Sequence, residues 1–295
     1  MLDLFVFKRW RIIAAALLLA LAGCSALSLA YRQADGLAHW WLDGYVDFDD
    51  AQAHDGRQAI ARWFTWHRRE ELPRYTALLS RAADEVMQDT TPAKSCRWWE
   101  EVRARVGAAA EQALPDAAAM SAGLEPDQLK HLERKQAKIN AEFKNDFLQS
   151  DPLERRRAAV ERAVERAEQF YGRLGAPQRE RIAEAVSASP FEPQLWLAER
   201  QRRQQDLLRT LRSLKGEAGA SPPEPQAATD LLRAHWQRVL RSPNPAYARY
   251  QQRLDAYNCD FAAQVHNATN TEQRAVAQRR LREWEFDLRG LTTPR

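Results

Sequence analysis

Residues 124–175 read LEPDQLKHLERKQAKINAEFKNDFLQSDPLERRRAAVERAVERAEQFYGRLG, and the spacing of their apolar side chains decides the fold class. Leu129, Leu132, Ile139, Phe143 and Phe147 recur at steps of three, four and seven residues, as do Leu153, Val160, Val164, Ala167, Tyr171 and Leu174. Such steps place side chains on one face of an α-helix. Between the two runs, Ser150-Asp151-Pro152 supplies a capping carboxylate and a first-turn proline. The simplest arrangement is an antiparallel helical hairpin. Each arm, at about 23 residues and 1.5 Å per residue, is about 34 Å long.

Outward from this centre, helix signals dominate. Gln33 to Tyr45 places Leu37, Trp41 and Tyr45 on one face, and Asp47 or Asp49 caps a helix running toward Arg69 with Ile60, Trp63 and Phe64 inward. Pro73 opens or kinks the next segment, and Thr91-Pro92 starts a helix carrying Cys96, Trp99, Val102 and Val106 along a stripe. Gly175 ends a helix, Pro177 restarts the chain, and Ser189-Pro190-Phe191-Glu192-Pro193 breaks it again before the run Leu195 to Leu214. After the linker GEAGASPPEPQ at 216–226, three further helices span about 231–240, 247–266 and 272–291. The expectation is an all-α, multi-helix fold, an elongated bundle with a long central antiparallel hairpin. Ten tryptophans, most in apolar patterns, argue against a disordered chain.

The amino-terminal segment carries a different signal. Lys8, Arg9 and Arg11 precede the apolar stretch Ile12 to Gly23, which at about 12 residues falls short of the ~20 needed to span a bilayer. A basic flank, a short apolar core and small residues at Ala22 and Gly23 describe a secretory signal peptide. Leu21-Ala22-Gly23-Cys24 resembles the lipobox of bacterial lipoproteins. That resemblance implies cleavage before Cys24, a diacylglyceryl group on the Cys24 thiol and acylation of the new terminus, with Ser25 permitting export to the outer membrane. The expected organisation is therefore a signal peptide at 1–23, a lipidated tether at 24–32 and a single helical periplasmic domain at 33–295 with a flexible loop at 216–226. Several acyl chains, at ~0.8 kcal/mol per buried methylene, make such an anchor effectively permanent.

Charge and cysteine usage change once the leader is set aside. Losing Lys8, Arg9 and Arg11 against Asp3 lowers the formal charge from +4 to +2, a mixed surface without the electrostatic footprint of a nucleic-acid binder. Assigning Cys24 to lipid leaves Cys96 and Cys259 as a pair in an oxidising compartment, a disulfide candidate. Such a bridge would make 216–226 a loop within one domain.

The search for chemistry is mostly negative. The chain has no glycine-rich phosphate loop, HExxH, GxSxG or Cys-x-x-Cys, and no cofactor is expected beyond the covalent lipid. Asp43, Asp47, Asp49 and Asp50 cluster without the closing Glu of a calcium loop, so capping explains them more simply. His67, Glu70 and Glu71, in WHRREE at 66–71, are the remaining functional candidates, a histidine among aromatics beside two carboxylates. A hydrogen-bonding structural histidine is the simpler reading of His67.

Three helix starts look alike: LEPDQ at 124–128, LGAPQR at 174–179 and ATNTEQR at 268–274. The second and third resemble the Leu-Thr-x-x-Gln helix starts of small periplasmic chaperones of the spheroplast-protein type. A capping box, in which a third-position Gln or Glu satisfies exposed amides, accounts for the same pattern. More broadly, Trp40-Trp41-Leu42-Asp43, Trp66-His67-Arg68, Glu71-Leu72-Pro73-Arg74-Tyr75, Ser189-Pro190-Phe191, Asn244-Pro245-Ala246-Tyr247 and Tyr257-Asn258-Cys259 resemble an uncharacterised family of proteobacterial lipoproteins. The expected function is a non-enzymatic binding, scaffold or chaperone-like surface at the periplasmic face of the outer membrane. Its expected partners are the membrane, through the anchor, and a periplasmic protein. The alternative is an envelope enzyme acting on peptidoglycan or lipid near His67.

Overall fold

The structure, a computed structural model, describes residues 26–215 and 223–292. The lipobox, Cys24 and the signal segment lie outside the described residues, as does most of the expected 216–226 loop. Twelve α-helices and one π-helical turn make up the described residues, which contain no strand. They are α1 (Ala26–Arg32), α2 (Ala34–Val46), α3 (Asp50–Trp66), α4 (Leu72–Glu85), α5 (Pro92–Ala122), α6 (Pro126–Phe147) and α7 (Pro152–Tyr171). After these come α8 (Ala176–Ala188), α9 (Pro193–Leu214), α10 (Pro225–Leu240), α11 (Pro245–Asn267) and α12 (Thr271–Thr292). The all-α, multi-helix expectation holds.

Local chemistry sets the boundaries. Proline occupies the first turn of most of these helices, where its missing N–H costs nothing. The Asp49, Thr91, Asp151 and Asn244 side chains each accept a backbone N–H of the first turn. Pro73 acts on the turn before it. It cannot donate to the Arg69 carbonyl and its ring crowds that oxygen, so His67–Glu71 widens into a π-helix in which the Leu72 N–H reaches the His67 carbonyl. A continuous but deflected rod runs from α3 into α4.

Two expectations need correction. The 24–32 stretch is not simply a tether, because helical order begins at Ala26 and the Tyr31 hydroxyl lies 2.8 Å from His67 Nδ1. Apolar and hydrogen-bonding partners pull this turn onto the body. At the far end of the expected 216–226 loop, Pro225 and Gln226 already belong to α10, since Pro225 is a favourable first helical residue.

The central arms connect as expected through Ser150-Asp151-Pro152, yet they touch each other only sparingly. Leu129 and Leu132 of α6 join Leu114 and Ala118 of α5, Leu208, Leu211 and Leu214 of α9, and Leu232 of α10 in one core cluster. Val164 of α7 joins Leu174, Ile182 of α8, and Phe261 and Val265 of α11 in another. A third cluster joins Ala83 of α4 and Val86, just past its end, to Ala277 and Leu281 of α12. Burial against several helices wins over the single seam that a free-standing hairpin would use.

One succession of elements occurs twice. Helices α2, α3–α4, α5 and α6 form a first unit, and α7, α8–α9, α10–α11 and α12 a second, each with its second rod interrupted near the middle. The units exchange partners. The second rod of the first unit, α4, packs along α12, the last helix of the second, while α9 packs along α6. Their third members, α5 and α10–α11, run antiparallel: Cys96 meets Cys259, Arg103 meets Asp255 at 3.2 Å, and Glu111 meets Arg233 at 2.6 Å.

Cys96 and Cys259 are bonded, with Cα atoms 5.2 Å apart across 163 residues of sequence. Closing a loop of that length in the unfolded chain is worth about 5 kcal/mol at most in the chain-entropy account. Reduction should therefore lower the urea midpoint of the oxidised protein, with no further effect of reductant on a Cys96→Ser/Cys259→Ser variant. Equal midpoints with and without reductant would remove this bridge from the stability account.

Candidate functional site

The π-helical turn gathers aromatic side chains around His67. Its ring lies 4.6 Å from that of Trp63 in a near-parallel stack and 5.3 Å from Tyr75 edge-on, with Tyr31 at 5.8 Å. Burial pushes the His67 pKa down, and the neighbouring Arg68 adds to the effect. The ring is thus neutral near pH 7. Burial likewise pushes the Tyr31 hydroxyl up to about 12, so it stays protonated and can donate to Nδ1.

The three sequence candidates do not converge. Glu70 is partly exposed and pairs with Arg69 at 3.0 Å. Glu71 is wholly buried, its Oε1 accepting from Arg74 at 2.9 Å and facing Arg105 at 3.5 Å. Its Oε2 has no hydrogen-bond partner among the described residues. Histidine, exposed carboxylate and buried carboxylate each have separate partners, an arrangement that holds the deflected rod against α1 and α5. Among the described residues, no group of three or more His, Cys, Asp or Glu side chains is arranged to hold a metal ion.

A second Tyr–His pair repeats this chemistry. His266 Nε2 lies 2.8 Å from the Gln88 carbonyl, which can only accept, so Nε2 carries the proton. Nδ1 then accepts from the Tyr171 hydroxyl at 2.8 Å. Burial pushes the His266 pKa down and the Tyr171 pKa up to about 12.

The helix starts that look alike in sequence form a pair of clasps. Gln178 Oε1 accepts the Gly175 N–H at 2.8 Å, while its amide nitrogen donates to the Ala268 carbonyl and to Gln273 Oε1, both at 2.7 Å. Gln273 mirrors it, accepting from Asn270 N–H and donating to the Arg173 carbonyl at 2.8 Å. In the first unit, Gln128 Oε1 accepts from Glu125 N–H and its nitrogen donates to the Asp47 carbonyl and Gln52. Gln52 accepts from Asp49 N–H and donates to the Gly123 carbonyl. Each start is therefore closed by its third-position Gln, reciprocally by the cap side chain at Asp49 and Asn270, and each also bonds across to another helix start. The fourth member, FDDAQ at 48–52, was not among the starts that look alike in sequence. Its Asp-x-x-Gln spacing was the available signal.

On the outer side of α5, Trp99, Val102 and Val106 are 49%, 45% and 51% exposed. They lie one turn apart. A side chain built at Gly107 would meet open space, so no helix of the described residues covers this stripe. Arg103 borders it, its guanidinium 5.7 Å from the Trp99 ring and paired with Asp255. Helical spacing put them along a stripe with Cys96; the disulfide seam turns Cys96 inward and leaves the other three outward.

Residues 44–219 match DUF6279, a family of unknown function. The chain belongs to that family. The match takes in the whole Gln52–Gln128 clasp, the π-helical turn and all of α5. No curated protein and no solved structure matches the chain.

Two measurements probe the site. Gln178→Leu leaves the Gly175 N–H, the Ala268 carbonyl and Gln273 short of partners and should cost about 1–3 kcal/mol. Gln112→Leu on the exposed face of α5 should cost far less in the same urea titration. For pH, the unfolded histidines titrate near about 6.5, and folding depresses His67 and His266. Their contribution is fully present above that value and is lost as pH falls from it toward the folded values. Tm should drop between pH 7.5 and pH 5, less steeply in His266→Gln. An unchanged slope in that variant would exclude His266 as a source.

Proposed function

We propose that this protein is a non-enzymatic lipoprotein of the cell envelope, anchored through Cys24 at the periplasmic face of the outer membrane, whose helical body binds apolar segments of another polypeptide. The exposed Trp99-Val102-Val106 stripe carries the reading. It is an uncovered apolar strip on a helix fixed by a disulfide to α11, and a preorganised surface loses little entropy on binding. Trp99 with Arg103 at its edge pairs two of the residue types that dominate protein interfaces. The lipobox resemblance and the pairing of Cys96 with Cys259 support an envelope location, where disulfides persist.

A scaffold or chaperone-like role follows from the same surface, whose apolar contacts are sequence-tolerant. The mature protein should suppress aggregation of a denatured client at equimolar ratio, and Trp99→Ser/Val102→Ser/Val106→Ser should need at least about tenfold more protein, as loss of an aromatic anchor implies. Suppression equal to that of the parent would exclude the stripe. In cells, photocrosslinkers at 99 and 106 should capture envelope proteins, and absence of any reproducible adduct at normal expression would count against a partner.

A further inference from the structure

Helices α1 and α2 follow one another as a two-part rod joined by a turn at Gln33, the N-cap of α2, whose carbonyl accepts the Leu37 N–H. One side of this rod is bound to the body. Ser28 is buried, Tyr31 bonds His67 and meets Phe64 edge-on at 5.6 Å, α1 packs on α12, and His39 Nε2 reaches the Ala53 carbonyl at 3.1 Å. Among the described residues, nothing covers the opposite side. Leu29, Leu37, Trp40 and Trp41 are 59%, 55%, 72% and 55% exposed, and a side chain built at Gly36 would meet nothing. At 100° per residue, the four α2 positions Gly36, Leu37, Trp40 and Trp41 fall within an arc of about 140°. Arg32 is exposed at its border.

We propose that this face lies in the acyl–headgroup boundary of the bilayer that holds the lipid anchor. The position of the attachment point carries the argument. Cys24 is two residues before Ala26, so backbone geometry keeps its Cα within about 7 Å of the start of α1. A lipid there holds the start of α1 at the membrane surface, and burial of the exposed apolar arc sets the tilt that brings Trp40 and Trp41 down to it. Tryptophans are the side chains that favour this depth, with apolar ring and polar N–H in one group. An apolar arc bordered by a cation is the pattern of a helix lying in the interface. Because Tyr31 and α12 fix the rod to the body, the embedded face also sets the orientation of the whole protein on the membrane. This inference rests on the proposed lipidation of Cys24.

The test uses the full lipidated protein in phosphatidylethanolamine–phosphatidylglycerol vesicles containing lipids brominated along the acyl chain. Bromine should quench part of the tryptophan fluorescence, and Trp40→Ser/Trp41→Ser should lose most of the quenchable signal while staying vesicle-bound. Circular dichroism of the variant, changed only at exposed positions, controls for folding. Quenching unchanged by the double substitution, in protein whose mass shows acylated Cys24, would overturn the embedded face and leave the lipoprotein reading standing. A mass without acyl groups would overturn both. Disulfide crosslinking of Leu37→Cys between two copies, with no quenching, would make the face a dimer contact and likewise overturn the proposal.

Discussion

A primary amide can donate two hydrogen bonds and accept two, and this fold spends that capacity at four helix starts. Each of Gln52, Gln128, Gln178 and Gln273 closes its own first turn and still has an N–H and a lone pair for a partner. Joined in pairs, they fix where α3 begins relative to α6 and where α8 begins relative to α12. Gln273 is buried and the other three sit in the junction. A misregistered pairing there would strand several polar groups, each worth about 1–3 kcal/mol. Apolar packing alone tolerates sliding by a turn; a reciprocal amide pair does not. The clasps thus supply the register that the leucine and alanine clusters only approximate.

Once each unit is closed, the exchange of helices between units becomes possible at both ends. Along α4–α12, Gln278 donates to the Ala83 carbonyl at 2.9 Å, Arg282 to Ser80 at 3.0 Å, and Arg274 to the Met87 carbonyl at 3.3 Å. Along α6–α9, Phe143 stacks on Trp196 at 4.7 Å, and Asn140 and Gln204 exchange amide hydrogen bonds at 2.7 and 3.2 Å. Between these seams lies the antiparallel contact of α5 with α10–α11, tied by Cys96–Cys259. An exposed stripe on α5 is a consequence of this layout. Once its flanks hold the seam and the neighbouring rod, its remaining arc has no helix left to meet.

The sequence made some of this legible and concealed the rest for physical reasons. Helical periodicity at 129–147 and 153–171 and the caps at Thr91, Asp151 and Pro152 are local signals, and the helices stand where those signals put them. The exception is that the second arm stops at Tyr171, before positive-φ Gly172, so that Leu174 lies beyond it and Gly175 caps the next helix instead of ending this one. Cysteine counting anticipated the Cys96–Cys259 pair because only two residues remained to match. Periodicity does not say which helix an apolar face meets, so the hairpin of α6 and α7 opened into two separate core clusters. Nor does it distinguish a buried stripe from an exposed one, as Trp40, Trp41, Trp99 and Leu153 show. The His67 environment was half legible. Aromatic neighbours in sequence were visible, whereas Tyr31 arrives from 36 residues away and Arg105, which faces buried Glu71, from 34.

Buried carboxylates extend the same logic from amides to charges. Glu71, Glu199 and Glu285 are each almost fully buried and each is gripped by an arginine three residues away, Arg74, Arg202 and Arg282. Glu71 lies 19 residues after Gln52, and Glu199 lies 21 after Gln178, so both units place a buried glutamate at nearly the same distance from their clasp. For Glu199, burial alone would favour the neutral acid, but the bonds from Arg202 and Arg203 outweigh it and hold the pKa down. Replacing such a pair by apolar residues is often neutral or stabilising, whereas removing one partner costs several kcal/mol. Their value lies in discrimination. The arginine three residues away moves with its carboxylate, so register is read by the cross-helix partner: Glu71 faces Arg105 of α5 at 3.5 Å, and a rod displaced by a turn would lose that contact near its middle and leave the buried carboxylate with Arg74 alone.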